Sequence, residues 1–454
     1  MPKVHARTAF FLTLLYLAMI FVRPQEFVPS LEGFPLLPAL MAVALFAWLL
    51  SDRKTVDTQQ LAALTLLFVY TILSVALSGW VGGMVPAAGK LIPVYVLFLL
   101  VASTTITPER QRQTMWVFVG GAVMMAVHGI QQKFTGVGWT GEVALQGRMR
   151  YIGIFNDPND VGLLLVCSLP MAFYLLHHYR SILVKGLLTG LIGTILYGIV
   201  LTNSRGTTLA TAVITGLYLW RHHGVFKTAI FGAAVIPVIL MMSSRIDTIS
   251  ASEESAHGRI EAWYEGFQML KSNPLFGVGF DRFTEHHFLT AHNSFMLALA
   301  ELGVVGYTLW FSFLLSCVAM MHRLRAPLAP KQNELEELIT LYSEENGQST
   351  HHEEEAEQAA PSPPVVAAED GAIANVLFFS FIGFATSAFF LSRTYVVVLF
   401  VLCGMAVGHY LGARQRTPQL PEYGFFSHFG LWMTISMVSI VLLYIVTKVL
   451  MLAA

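Results

Sequence analysis

The sequence predicts an all-α, polytopic integral membrane protein of about 12 to 13 transmembrane helices with one long outer loop. Three observations predict it. Of 454 residues, 55% are hydrophobic and only 12% are charged, against roughly 25% in a soluble domain, so a water-soluble globule could not solvate this surface. Apolar runs long enough to span hydrocarbon recur from end to end, and a bilayer core accepts only helices or closed barrels. The runs lack the alternation of barrel strands.

In chain order the runs fall at residues 8–22, 34–50, 61–79, 86–103, 114–131, 160–177, 184–201, 207–220, 226–242, 292–321, 373–391, 394–412 and 427–447. The first follows Lys3 and Arg7, as a signal peptide would, but Arg23-Pro24-Gln25-Glu26 stands where a small-residue cleavage site belongs. It therefore reads as a retained span. Lys3/Arg7, Arg53/Lys54, Arg110/Arg112, Arg180/Lys185, Arg221/Lys227, Arg323/Arg325 and Arg414/Arg416 fall on one side of the runs, and the short loops opposite carry about one basic residue each. The excess marks the cytoplasmic side, which puts the N-terminus inside and the C-terminus outside. Cys167, Cys317 and Cys403 lie within apolar runs and read as small hydrophobes. Gly186, Gly190 and Gly193 would let another helix approach closely.

The organisation follows: a bundle of about nine spans over 1–242, an outer loop over 243–291, a long transmembrane helix over 292–326, an acidic cytoplasmic segment over 327–371 and C-terminal helices over 372–454. The acidic segment, with His351-His352-Glu353-Glu354-Glu355 and Pro361-Ser362-Pro363-Pro364, cannot build a core and reads as disordered, apart from a short amphipathic helix on Leu335, Leu338, Ile339 and Tyr342. In the outer loop, Ile260, Trp263, Phe267 and Leu270 recur at helical spacing between Arg259, Glu261, Glu265 and Gln268. Asn273-Pro274 ends that helix, and Gly277-x-Gly279 forms a turn.

Five features can carry chemistry, each with a plainer alternative. Arg205, in the break Thr202-Asn203-Ser204-Arg205-Gly206, either snorkels to headgroups or grips a phosphate with its fork. His292-Asn293 opens the tenth span. A histidine there either takes a proton from a hydroxyl or belongs to a helix cap. Glu301 lies nine residues further, about 13 Å deeper at 1.5 Å per residue, and a carboxylate inside a span is usually paired, which leaves it a structural or a proton-handling partner. Arg259 sits on the loop helix, as a solvated residue or a phosphate ligand. Arg148 and Arg150, before Tyr151, either anchor to lipid or attract an anionic headgroup. Asn156-Asp157-Pro158-Asn159-Asp160 reads as a helix start with Asp157 as N-cap, and divalent-metal binding by Asp157 and Asp160 is the alternative. Glu285-His286-His287 with His292 lacks the helical His-Glu-x-x-His spacing of a zinc site. No metal or cofactor is expected: no Walker loop, nucleophile elbow or dinucleotide fingerprint occurs. No basic stripe suggests nucleic acid.

From about residue 150 to 320 the chain resembles the O-antigen ligase and polymerase superfamily, polytopic enzymes that ligate or polymerise lipid-linked glycans. The resemblance rests on Phe155-Asn156-Asp157-Pro158-Asn159, then Asn203-Ser204-Arg205-Gly206, then Gly258-Arg259-x-x-x-Trp263, Asn273-Pro274-Leu275-Phe276-Gly277-Val278-Gly279, His292-Asn293-Ser294-Phe295 and Glu301-Leu302-Gly303-x-x-Gly306, in that order. It implies a multi-pass protein of the bacterial inner membrane with its active site facing the periplasm. An undecaprenyl-diphosphate-linked glycan would be the donor, and a hydroxyl on a glycan, lipid core or protein the acceptor. The transfer would be metal-independent and inverting, with His292 as base and Arg205 and Arg259 on the diphosphate. Arg148 and Arg150 join them as diphosphate contacts, and Asn293, Glu301, Asn156 and Asn159 support the site. The rival expectation is a transporter or flippase of lipid-linked sugars, which would place ionisable groups near midplane and show internal repeats. The candidate residues cluster instead at the outer rim.

Overall fold

The computed structural model describes residues 7–51, 58–243, 249–325 and 367–453, with side chains at 235–257 left undescribed. The amphipathic helix expected around Leu335 to Tyr342 and the pair His351-His352 lie outside the described residues. Among these residues no strand forms; only two isolated bridges, Val137 to Val143 and Leu145 to Arg148, interrupt a helical fold.

Fourteen helices are used below. They are α1 (Arg7–Val22), α2 (Leu36–Leu49), α3 (Gln59–Leu77), α4 (Met84–Thr104), α5 (Pro108–Thr135), α6 (Pro158–His178), α7 (Ile182–Thr202), α8 (Arg205–Ser243), α9 (Ile249–Ser272), α10 (Phe283–His286), α11 (Ser294–Leu324), α12 (Ala368–Ala388), α13 (Val397–Arg416) and α14 (Phe429–Ala453). Each of the thirteen apolar runs falls on one of them. Ten helices among the described residues are long and apolar enough to cross a membrane. The three runs outside the ten are the one on the short α2 and those at 207–220 and 226–242, which join into α8, a helix bent at Gly224 where φ is 80° and not itself among the ten.

Local chemistry sets the ends. Thr58 and Thr107 cap α3 and α5, each accepting a backbone N–H one turn on. Asp157 caps α6 by accepting the Asn159 N–H, with Pro158 at the first helical position, as expected from the sequence. Asn203 ends α7 in a left-handed conformation. The core sits around α6, which packs on α5, α7, α8 and α12, and around α11, which packs on α3, α9, α12, α13 and α14. On α13, Gly404, Gly408 and Gly412 face Val101, Ala102 and Ile106 of α4 and its C-terminal end, and a Cβ at Gly408 would come within 2.7 Å of the Ala102 carbonyl oxygen. The α7 glycines 186, 190 and 193 have nothing within 4 Å and face outward, so they serve no packing within the chain.

Two departures from the expected pattern shape the site. The span at 292–321 is not one continuous helix. Gly303, at φ 64° and ψ −171°, breaks α11, and carbonyls beside the break are engaged by the returning outer loop and by α3: Val278 N–H donates to Ala300, Gly279 N–H to Glu301 and the Tyr70 hydroxyl of α3 to Leu302. Pro274 in turn accepts the Val304 N–H. Only glycine fits here, because a Cβ on Gly277 or Gly303 would run into the backbone of the opposite segment. The loop after α9 is thus a re-entrant stretch inserted into a broken helix, a form tolerated at membrane depth only where protein buries it.

Candidate active site

The candidate residues come from five connections that meet at one end of the bundle. His292 precedes α11 with a positive φ of 48°, a conformation that costs a non-glycine residue free energy unless its surroundings hold it. Several contacts hold it. Asn293, fully buried, caps α11 by accepting the N–H groups of Phe295 (2.9 Å) and Met296 (3.1 Å). Trp263, one helical turn after Arg259 on α9, donates its indole N–H to the Ala291 carbonyl at 2.8 Å.

Around His292 the charges are arranged unevenly. Burial pushes its pKa below the ordinary 6.5; the charge of Arg259 pushes the same way, Asp157 opposes, and Arg393 adds to the fall. The imidazole is therefore biased toward its neutral, proton-accepting form at neutral pH. Arg259 is itself pushed down by burial and then by the charges of Arg148 and Arg205, with Asp157 opposing. Several like charges brought within mutual range in a partly buried place make a site for an anion. Arg205, exposed, begins α8, and Gly206 beside it lies against Phe390, so a Cβ there would crowd that ring.

Arg148 is tied in by its own partners. Its Nε donates to the Thr202 carbonyl (2.9 Å) and its Nη2 to Asn159 Oδ1 (2.9 Å), while Asn159 Nδ2 donates to Asp157 (2.8 Å). Burial lowers its pKa and Asp157 works against the fall. Arg150, by contrast, is not brought to this cluster. It pairs with Glu142 at 2.6 Å and donates to the Val143 carbonyl, because the hairpin that precedes it supplies its own acid.

The residue that sequence reasoning missed is Arg393. It forms a two-pronged pair with Asp160 of α6, Nε to Oδ1 at 2.5 Å and Nη2 to Oδ2 at 2.6 Å. Asp160 is 1% exposed and Arg393 40% exposed. Burial works against the Arg393 charge, but the hydrogen bonds and charge of Asp160, with Asp157 behind them, outweigh it and raise the pKa. A lone arginine in Leu391-Ser392-Arg393-Thr394, a tight break between two spans, was the available signal.

On the far side of this pair lies a cavity of about 1020 Å³. Asn156, Asp157, Asp160, Ser392 and Arg393 line it, Tyr16, Ile20, Leu37, Met41, Leu91 and Val94 give it apolar walls, Arg23, Lys90 and Asp281 add charge, and the buried Glu301 also lines it. Glu301, 4% exposed, accepts the Phe283 N–H at 3.1 Å. Lys90 on α4 pairs with Asp281. Arg148, Arg205, Arg259 and His292 do not line the cavity, whereas Arg393 and Asp160 do. The zinc alternative finds no geometric support: Glu285 is paired with Arg282 at 2.8 Å and His287 Nδ1 is engaged at Leu289. Among the described residues no group of three or more His, Cys, Asp or Glu is arranged to hold a metal ion.

Residues 163–311 match the family model described as O-antigen ligase. Over this segment the chain is similar to the O-antigen ligase family. The matched domain runs from the first turns of α6 into the second half of α11 and includes Arg205, Arg259, His292 and Glu301, whereas Arg148, Asp160 and Arg393 lie outside it. No curated protein matches the chain. The polytopic helical fold agrees with this similarity to O-antigen ligases.

Proposed function

We propose that this protein is a membrane glycosyltransferase that moves a glycan from an undecaprenyl-diphosphate donor to an acceptor hydroxyl on the periplasmic face of a bacterial inner membrane. The observation that carries the reading is an imidazole biased toward neutrality, His292, beside a partly buried group of guanidinium side chains, Arg148, Arg205 and Arg259. These are the two things such a transfer needs. The leaving diphosphate is already a good one, so the remaining tasks are to take a proton and to compensate charge.

In the reaction, His292 accepts the proton of the acceptor hydroxyl as its oxygen attacks the anomeric carbon. The bond from that carbon to the diphosphate breaks, and undecaprenyl diphosphate leaves with its charge held by the arginines. Attack opposite the leaving group inverts the configuration, and the chain's own residues suffice for the step. The cavity suits the acceptor. Its apolar wall reaches along α4 to Val94, ten residues from Met84, or about 15 Å at 1.5 Å per residue, while its polar end meets His292's neighbours Asp157 and Arg393.

The test is the length distribution of polyprenyl-linked glycan in cells lacking the protein, with wild-type or His292→Ala copies returned. Accumulated long chains identify a ligase and accumulated single repeat units a polymerase; in both cases the His292→Ala copy fails to relieve the block. Unchanged glycans, or full rescue by His292→Ala, would move a transporter or flippase ahead of this reading.

A further inference from the structure

The loop between α12 and α13 is fastened to the segment that carries His292 more tightly than its length requires. Ser294 Oγ donates to the Leu391 carbonyl (2.5 Å) and accepts the Arg393 N–H (2.8 Å), Thr394 Oγ1 donates to the Ser294 carbonyl (3.0 Å), and Thr290 Oγ1 donates to Ser392 Oγ (2.8 Å). Trp310, deeper in α11, donates to the Thr394 carbonyl at 3.0 Å. These bonds bracket His292 from both sides in sequence, at 290 and at 294, and His292 is the residue whose backbone is held at positive φ. The guanidinium of the same loop is then held by the buried Asp160 where both residues line the cavity.

We propose that Arg393 is a positioning residue for the transfer: anchored on Asp160 and stitched to Ser294, it fixes His292 in place and supplies the positive field that the imidazole meets from the acceptor side. This rests on the reading of His292 as the base. The charged groups whose fields reach His292 are Arg259 from α9, Asp157 from the head of α6 and Arg393 from the α12–α13 loop. Arg259 belongs to the anion-binding group, and its charge is offset when a diphosphate arrives. Arg393 is committed to a protein carboxylate instead, so its influence persists through the reaction. A lysine would keep the charge but could not reproduce the fork-to-carboxylate geometry.

The experiment follows carbethoxylation of His292 by diethyl pyrocarbonate against pH in the full-length, membrane-reconstituted protein, read by peptide mass spectrometry, because only the neutral imidazole reacts. Arg393→Gln is expected to move the midpoint upward by roughly half a unit or more, since removing a nearby positive charge favours the protonated ring. Asp160→Asn combined with Arg393→Gln leaves no buried carboxylate unpaired and carries the same measurement if the single variant does not accumulate. Arg393→Lys is expected to restore the midpoint while kcat for glycan transfer stays about tenfold or more below wild type. A midpoint that does not move in either glutamine variant, or full activity in Arg393→Lys, overturns the proposal. The titration needs no turnover, so a wild-type protein that transfers no glycan would defeat the proposed function while leaving this result readable.

Discussion

Two buried aspartate–arginine pairs sit at opposite ends of the bundle, nearly identical in themselves and different in what surrounds them. Asp160 and Arg393 meet at the site end. Asp370, in the first turn of α12, and Arg416, in the last turn of α13, meet at the other, through Nε to Oδ2 at 2.9 Å and Nη2 to Oδ1 at 2.6 Å. Both aspartates are 1% exposed. At the far end the remaining valences are closed by backbone: Arg416 Nη1 donates to the Ile106 carbonyl, and His409 Nε2 meets the Asp370 carbonyl at 2.9 Å. At the site end the pair faces a cavity on one side and His292 with three more arginines behind it on the other. The same ion pair is enclosed by packed helices at one end and lines a cavity at the other.

If that contrast is right, His292→Ala should cut glycan transfer by about 10²- to 10⁴-fold, with the melting temperature of the purified protein unchanged. At the other end, Asp370→Asn leaves the Arg416 charge without its carboxylate and should cost about 3 kcal/mol of stability, seen as lower melting temperature and yield with normal specific activity in what folds. A loss of activity without a loss of stability there would abolish the distinction. More finely, kcat/KM should fall on the acid side with an apparent pKa below the ordinary imidazole value of 6.5, because burial and the charges of Arg259 and Arg393 lower the folded value. Activity is then fully present above that pKa and lost as pH falls through it; a limb at or above 6.5 would mean that the arginines do not act on the base. The smallest contrast lies two residues apart. Arg148→Ala should weaken transfer about tenfold, whereas Arg150→Ala, which breaks the pair with Glu142 and the bond to the Val143 carbonyl, should stay within about twofold of wild type.

These expectations also mark how far the sequence could be read. Helix positions were legible because hydropathy and caps are local: the Asp157-Pro158 start of α6 is present as expected. The loop helix was legible because Ile260, Trp263, Phe267 and Leu270 recur at helical spacing with Arg259 among the polar residues between them. The break at Gly303 was hidden because a glycine barely changes the hydropathy of an apolar run, and its reason for being there, the backbone of Leu275 to Gly277, lies over twenty residues earlier. Arg393 was hidden for the same kind of reason: its partner Asp160 is 233 residues away. Arg148 and Arg150 looked alike until Glu142, eight residues before Arg150, chose between them. Local signals name the candidates, and distant partners decide which of them share a site.

The broken helix bears on how the chain enters the bilayer. The carbonyls of Ala300, Glu301 and Leu302, beside the break, find partners outside their own helix, and a carbonyl left bare in hydrocarbon is costly. The partners at Val278 and Gly279 are synthesised before them, but the hydroxyl of Tyr70 belongs to α3. The stretch from Asn273 to Val304 is therefore expected to insert as one hairpin, after α3 is in place to receive it.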